Sequence, residues 1–126
     1  MTFTWEHFLE LAQELADSPP GDNLREAKLR SAISRAYYAS FHHARAYYRR
    51  RYGTAPPGSR SGREHRLLPL ALTASGSPSE EQAGDQLNTL RGLRREADYE
   101  LSSSPDGSLV RRSLRLAREI IDILQA

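Results

Sequence analysis

Apolar positions recur along the chain at intervals of three and four rather than two, and turn-forming residues cut that pattern into five helical segments. Trp5, Phe8, Leu9, Ala12, Leu15 and Ala16 set the first, over about 4–16. The loop DSPPGDN ends it, and Asn23 with Glu26 three residues on predicts a capping box for the second. That helix is the long one, about 24–52, or ~43 Å at 1.5 Å per residue. Gly53 closes it, and GTAPPGSRSG reads as the least ordered loop of the chain. A short third helix, about 63–73, carries His65 beside Leu67, Leu68, Leu70 and Leu72. Ser77 as N-cap, Pro78 at the first helical position and Glu80 completing the box start the fourth. Leu87, Leu90, Leu93, Ala97 and Leu101 form its apolar side. Ser104-Pro105 opens the fifth in the same way, with Val110, Leu114, Ala117, Ile121 and Leu124 at helical spacing. No strand alternation of useful length and no repeat is visible. The expected fold is all-α, an antiparallel bundle of four to five helices with one long helix, in a single domain over 1–126.

The long helix is unusual in what it carries. Residues 34–48, SRAYYASFHHARAYY, hold four tyrosines, a phenylalanine and two adjacent histidines. At 100° per residue, Ile33, Ala36, Tyr37, Ser40, Phe41, Ala44, Tyr47 and Tyr48 share one broad face, which predicts core packing with hydroxyls reaching its edge. Arg35, Tyr38, His42, Arg45 and Arg49 follow one another at three- and four-residue steps on the opposite side. The ordinary reading of such a stripe is a solvated face. The sharper one is an RNA-facing surface, where arginine meets phosphate while Tyr38 and His42 stack on unpaired bases. A second basic row, Arg111, Arg115 and Arg118, lies on the fifth helix, and adjacency of the two rows would make a groove. His43 falls at the boundary of the faces and is expected to be a packing histidine.

Composition sharpens this only in places. Of 18 basic residues 17 are arginine, whose planar fork suits phosphates, although the net charge is only +2. The absence of cysteine excludes disulfides and thiolate chemistry and fits a reducing, cytoplasmic setting. The longest apolar run, residues 67–72, is far short of the roughly 20 needed to span a bilayer, so no membrane association is expected. His42 and His43 point about 100° apart on a helix, which speaks against a joint metal site. No glycine-rich phosphate loop, HExxH or nucleophile elbow occurs, and neither metal nor other cofactor is expected.

Two segments together carry a family resemblance. SRAYYASFHHAR, followed some fifty residues later by LRREADYEL, resembles the HEPN domains of prokaryotes, over essentially the whole chain. The resemblance implies a helical bundle that dimerises through its long helices and acts on RNA, often as a metal-independent ribonuclease in toxin–antitoxin or defence modules. It also implies a nucleotidyltransferase-type antitoxin as a possible partner, and some members of the family bind RNA or scaffold without cleaving. The active ribonucleases carry arginine, four to six residues, then histidine near the fourth helix: histidine moves a proton at the ribose 2′-hydroxyl and arginine steadies the phosphate. Here the matching segment, Arg91 to Tyr99, holds no histidine. Arg94, Asp98 and Tyr99 match its R-x-x-A-D-Y pattern. They are candidate catalytic residues, assisted by His42, or else a structural cluster, with Arg91 and Arg95 as further RNA contacts. Formal Arg-x(4–6)-His matches at Arg60–His65 and Arg35–His42 are about the 1.6 expected by chance. The alternative from another class is a non-catalytic dimeric module that binds RNA or a nucleotidyltransferase.

Overall fold

The computed structural model describes residues 4–99 and 106–125. Its helices are α1 (Glu6–Ala16), α2 (Arg25–Tyr52), α3 (Glu64–Thr73), α4 (Pro78–Tyr99) and α5 (Gly107–Ile123), and no strand occurs among the described residues. The expected all-α bundle is what forms. α2 is its axis, packed on α1, α4 and α5, while α3 packs on α4 and α1 also touches α5.

The predicted apolar face of α2 is the core face. Ile33, Ala36, Tyr37, Ser40, Phe41, Ala44 and Tyr47 are all buried, and Tyr48 is half-buried against the cluster. Leu68 and Leu72 of α3, Leu87 and Leu90 of α4, and Val110, Leu114 and Ile120 of α5 close the core around it. Each such side chain contributes roughly 1.5–3 kcal/mol by leaving water.

Helix ends repay closer inspection. Gly53 terminates α2 as expected, in the left-handed conformation (φ 71°) with its N–H on the Arg49 carbonyl at 2.9 Å. The start of α2 differs from the predicted box at Asn23. Leu24 takes the cap position, and the Asp22 carboxylate accepts its N–H at 2.8 Å and the Lys28 ammonium at 2.5 Å. Asp22 captures both because its side chain precedes the first turn, and those bonds hold its pKa down to about 2. Ser77 does cap α4, its hydroxyl accepting the Glu80 N–H at 3.4 Å. The Glu80 carboxylate instead turns inward to accept the hydroxyls of Tyr47 at 2.6 Å and Tyr52 at 2.5 Å. The predicted opening of α5 at Ser104-Pro105, like Leu101, lies outside the described residues. Asp106 is the N-cap, accepting the Leu109 N–H at 2.9 Å.

The loop between α2 and α3 is more regular than its composition implies. The Gly58 carbonyl accepts from Ser61 at 3.1 Å and Arg63 at 3.2 Å, and Pro56 is buried. Within α3, Pro69 has no N–H to offer the carbonyl four residues earlier, that of His65. Gly84 of α4 lets α3 approach closely: a β-carbon there would stand 2.7 Å from the Pro69 carbonyl oxygen.

Candidate nucleic-acid interface

The two segments that carry the family pattern meet in space. Ser34 of α2 donates its hydroxyl to the Asp98 carboxylate. Arg94 donates from Nη2 to the Tyr38 hydroxyl at 2.7 Å, and its Nε lies 2.9 Å from Asp98 Oδ2 without being aimed at it. Arg30 donates to the Ala97 carbonyl at 2.7 Å, satisfying a backbone group near the C-terminal end of α4. The arginine of R-x-x-A-D-Y is therefore the partner of the second tyrosine of SRAYY, and the aspartate is the partner of its serine. Together they lock α4 onto α2.

Aromatic rings surround this lock. The Arg94 guanidinium lies 5.2 Å from the Tyr38 ring centroid, 5.8 Å from that of Tyr37 and 5.9 Å from that of Tyr99, within cation–π range. Tyr99 itself is 72% exposed, with its ring in solvent. Beside it, Gly92, Arg95 and Glu96 form a shallow depression. Arg95 is exposed and Arg91 half-buried.

A histidine enters the cluster from a third helix. His65, in the first turn of α3, stacks on Phe41 at 4.0 Å with a 16° interplanar angle, and its Nδ1 lies 2.7 Å from the Tyr37 hydroxyl. It also meets the Tyr38 ring edge-on at 6.4 Å. The Tyr37 and Tyr38 rings therefore touch both His65 and Arg94. Burial lowers the pKa of His65, and the positive charges of Arg94 and Arg91 lower it further against the opposing Glu64. Both effects favour the neutral imidazole. Burial likewise pushes the Tyr37 phenol well above its ordinary pKa, so it stays protonated.

Of the remaining stripe residues of α2, two are met by the α1 segment, one by α3 and one by solvent. Trp5 stacks on His42 at 3.9 Å and 15°, and Phe8 of α1 lies 5.9 Å below the Arg35 guanidinium, whose Nε is buried without an acceptor. Arg45 pairs with the buried Glu64 of α3. Arg49 stands exposed near the end of the helix. The His42 pKa is lowered by burial first, then by Arg45 and His65. His43, as expected of a packing histidine, donates from Nε2 to the Leu124 carbonyl at 2.9 Å. The second basic row is not adjacent to the first. α1 lies between them, with Trp5 and Phe8 against α2 and Gln13 bonded to Arg118 of α5 at 2.5 Å.

Of the site residues expected from sequence, the structure gathers Arg94, Asp98, Tyr99 and Tyr38 in one cluster. It sets His42 and Arg45 at its α1 and α3 borders. Arg35 lies under α1, and Arg49 is toward the far end of α2. Sequence reasoning missed His65 as a member, because its formal neighbour Arg60 lies in the preceding loop while the arginines that act on it are Arg91 and Arg94. Only the fold brings them together. Among the described residues no three histidine, aspartate or glutamate side chains converge as for a metal ion, and no helix is long and apolar enough to cross a membrane.

An all-α bundle with an arginine–tyrosine–histidine cluster between its long helix and the two that follow defines a narrow class. The HEPN domain family model matches residues 6–126, and the chain belongs to that family. Neither a curated protein nor a solved structure matches it.

Proposed function

We propose that this HEPN protein acts on RNA as a metal-independent endoribonuclease, with His65 supplying the proton transfer that the family pattern would place after Arg94. The observation that carries this reading is the convergence of the His65 imidazole and the Arg94 guanidinium on the Tyr37 and Tyr38 rings, with the Arg91 charge close enough to act on His65 and Tyr37. In the transesterification this implies, the ribose 2′-oxygen attacks the adjacent phosphorus and the 5′-oxygen leaves, taking up a proton from water. The products are a 2′,3′-cyclic phosphate and a free 5′-hydroxyl. A neutral imidazole near pH 7 suits the removal of the 2′-proton, and an arginine suits the charge that grows on the phosphoryl oxygens. With the Tyr37 oxygen accepting the Nδ1–H, Nε2 would carry the free lone pair that takes the proton, and Tyr38 and Asp98 would hold Arg94. Tyr99, Arg91 and Arg95 would extend the RNA contact along α4, and His42, Arg45, Arg35 and Arg49 along α2. We further propose a homodimer through the long helices, a cytoplasmic setting, and a toxin–antitoxin or defence context with a nucleotidyltransferase-type antitoxin.

A second reading has its own support. Arg94 is already bonded to Tyr38 and Ser34 to Asp98, as members of a structural lock would be, and a non-catalytic module binding RNA or a nucleotidyltransferase needs no free general base. Incubating total tRNA with the protein in EDTA separates the two. Wild type should give discrete fragments ending in cyclic phosphate, with His65→Gln and Arg94→Ala each slower by about 10²–10⁴-fold if proton transfer and charge stabilisation carry the rate. Intact tRNA at protein excess, with folding verified by circular dichroism, would reject the ribonuclease and leave the binding module. Cleavage unaffected by His65→Gln would reject the role of His65.

A further inference from the structure

A different part of the bundle gathers positive charge without neutralising it. The ends of α1, α2 and α5 meet around a cleft of about 500 Å³ lined by Arg25, Arg111, Arg115 and Arg118, with Asp17 as its acidic side chain. At Gly107, the first residue of α5, a β-carbon would stand 3.0 Å from Arg111 Nη1 and 4.0 Å from Arg25 Nη2. The two guanidinium groups thus converge on one point from separate helices. Among the described residues neither forms an ion pair or a hydrogen bond, and the Nε of Arg25 is buried with no acceptor.

The neighbouring acids are otherwise engaged. Asp17 accepts from the Gln13 amide at 3.1 Å. Asp106 caps α5 and also accepts the Ser108 hydroxyl at 2.9 Å, so it faces Arg111 without closing an ion pair. Arg118 is held by Gln13 at 2.5 Å, and Arg115 lies a loose 4.0 Å from Glu119. Like charges brought together on rigid helices are relieved best by an anion with several acceptor oxygens, and two arginine forks match a phosphoryl group in shape.

We propose that this cleft is a second anion site, binding a phosphoryl group between Arg25 and Arg111. It stands about 20 Å along α2 from Tyr38, counting 13 residues at 1.5 Å each. The phosphoryl group belongs either to the backbone of a bound RNA strand or to a free phosphate ligand. The site does not depend on the Arg94 cluster being catalytic.

The test uses the full chain as wild type, Arg111→Gln, the Arg25→Gln/Arg111→Gln pair, and Arg112→Gln as an exposed charge-matched control outside the cleft. One arm measures thermal stabilisation by pyrophosphate. The other measures binding of a 12-nucleotide oligouridylate by anisotropy across a salt series. Each phosphate released from a single strand should lower the log–log salt slope by about 0.7, so the pair, which frees the one phosphate, should lose about 0.7 and Arg111→Gln part of that. Loss of the pyrophosphate shift alone supports a free phosphate ligand, and loss of slope alone supports an RNA backbone. Cleft variants that match Arg112→Gln in both arms overturn the proposal. Because Arg111 is exposed, its single variant keeps the test valid if the pair misfolds. RNA cleavage lost in Arg94→Ala but normal in the pair would leave the ribonuclease standing, whichever way the two binding arms decide the cleft.

Discussion

Tyr47→Phe should destabilise this protein although it removes a single atom. The hydroxyl it removes donates at 2.6 Å to Glu80, a carboxylate only 3% exposed whose second donor is Tyr52. Burial alone would raise the Glu80 pKa; the two tyrosine hydroxyls, with Ser75 and Arg51, outweigh it and bring the value below the ordinary one. Burial first, then the same bond, lifts Tyr47 to about 12. A hydrogen bond to a charged group contributes about 1.5–3 kcal/mol, and losing it leaves a buried carboxylate short of a donor. With an unfolding entropy near 2.1 cal/mol/K per residue, that loss lowers Tm by roughly 6–11 °C in a chain of this length. The sign with pH follows from the lowered pKa. Glu80 stabilises the fold above its unfolded value near 4.3, and that contribution disappears as pH falls through the folded value. Thermal melts of wild type and Tyr47→Phe should therefore differ fully at pH 7 and converge towards pH 3. Tyr48→Phe, whose hydroxyl makes no hydrogen bond among the described residues, is the control and should stay within ~0.5 kcal/mol of wild type. A Tyr47→Phe melt matching that control at pH 7, or a gap equally wide at pH 3, would refute the account.

Two glycines of α4 should respond in opposite directions. Gly84→Ala forces a methyl against the Pro69 carbonyl and the Thr73 backbone, and urea unfolding should show a loss of about 1–3 kcal/mol despite the better helix former. Gly92→Ala meets nothing within 4 Å and should gain about 0.5–1 kcal/mol; the reverse order would mean that α3 and α4 are not packed as described. His42 and His65 both have lowered pKa values, so the unfolded chain binds their protons first as pH drops below about 6.5, and stability should fall there. Melts between pH 7.5 and 5 should show that slope in wild type and a shallower one in His42→Gln/His65→Gln; equal slopes would contradict the burial of the two rings.

What the sequence showed plainly was whatever depends on one helix at a time. The core face of α2 follows from rotation by 100° per residue, and Gly53 and Ser77 act through their own backbone neighbourhoods. The cap does not fall at Asn23 because Asp22, one residue earlier, accepts the Leu24 N–H and also captures Lys28, and the helix starts one residue later. Glu80 was misread for a related reason: a carboxylate that could reach back to its own cap finds two phenols on another helix. The same limit applies to the candidate site. R-x-x-A-D-Y and SRAYY were visible separately, whereas the pairing of Arg94 with Tyr38 and of Asp98 with Ser34 depends on how α4 lies across α2. The local signal at His65 was only a chance-level match with Arg60, whereas the arginines that act on it, Arg94 and Arg91, belong to α4.

Tyr37 is at once the most buried aromatic of the core and the residue bonded to His65. Its ring fills space that a smaller side chain would leave empty, and its hydroxyl sets the histidine. Substitutions there cannot explore one role while sparing the other, because Tyr37→Phe keeps the volume but frees the imidazole and every smaller residue forfeits both. Where a fold divides its scaffold from its site, the site can drift under selection for new targets. In this chain drift at position 37 is closed, and any diversification of the cluster must run through exposed positions such as Tyr99 and Arg95, which the core does not hold.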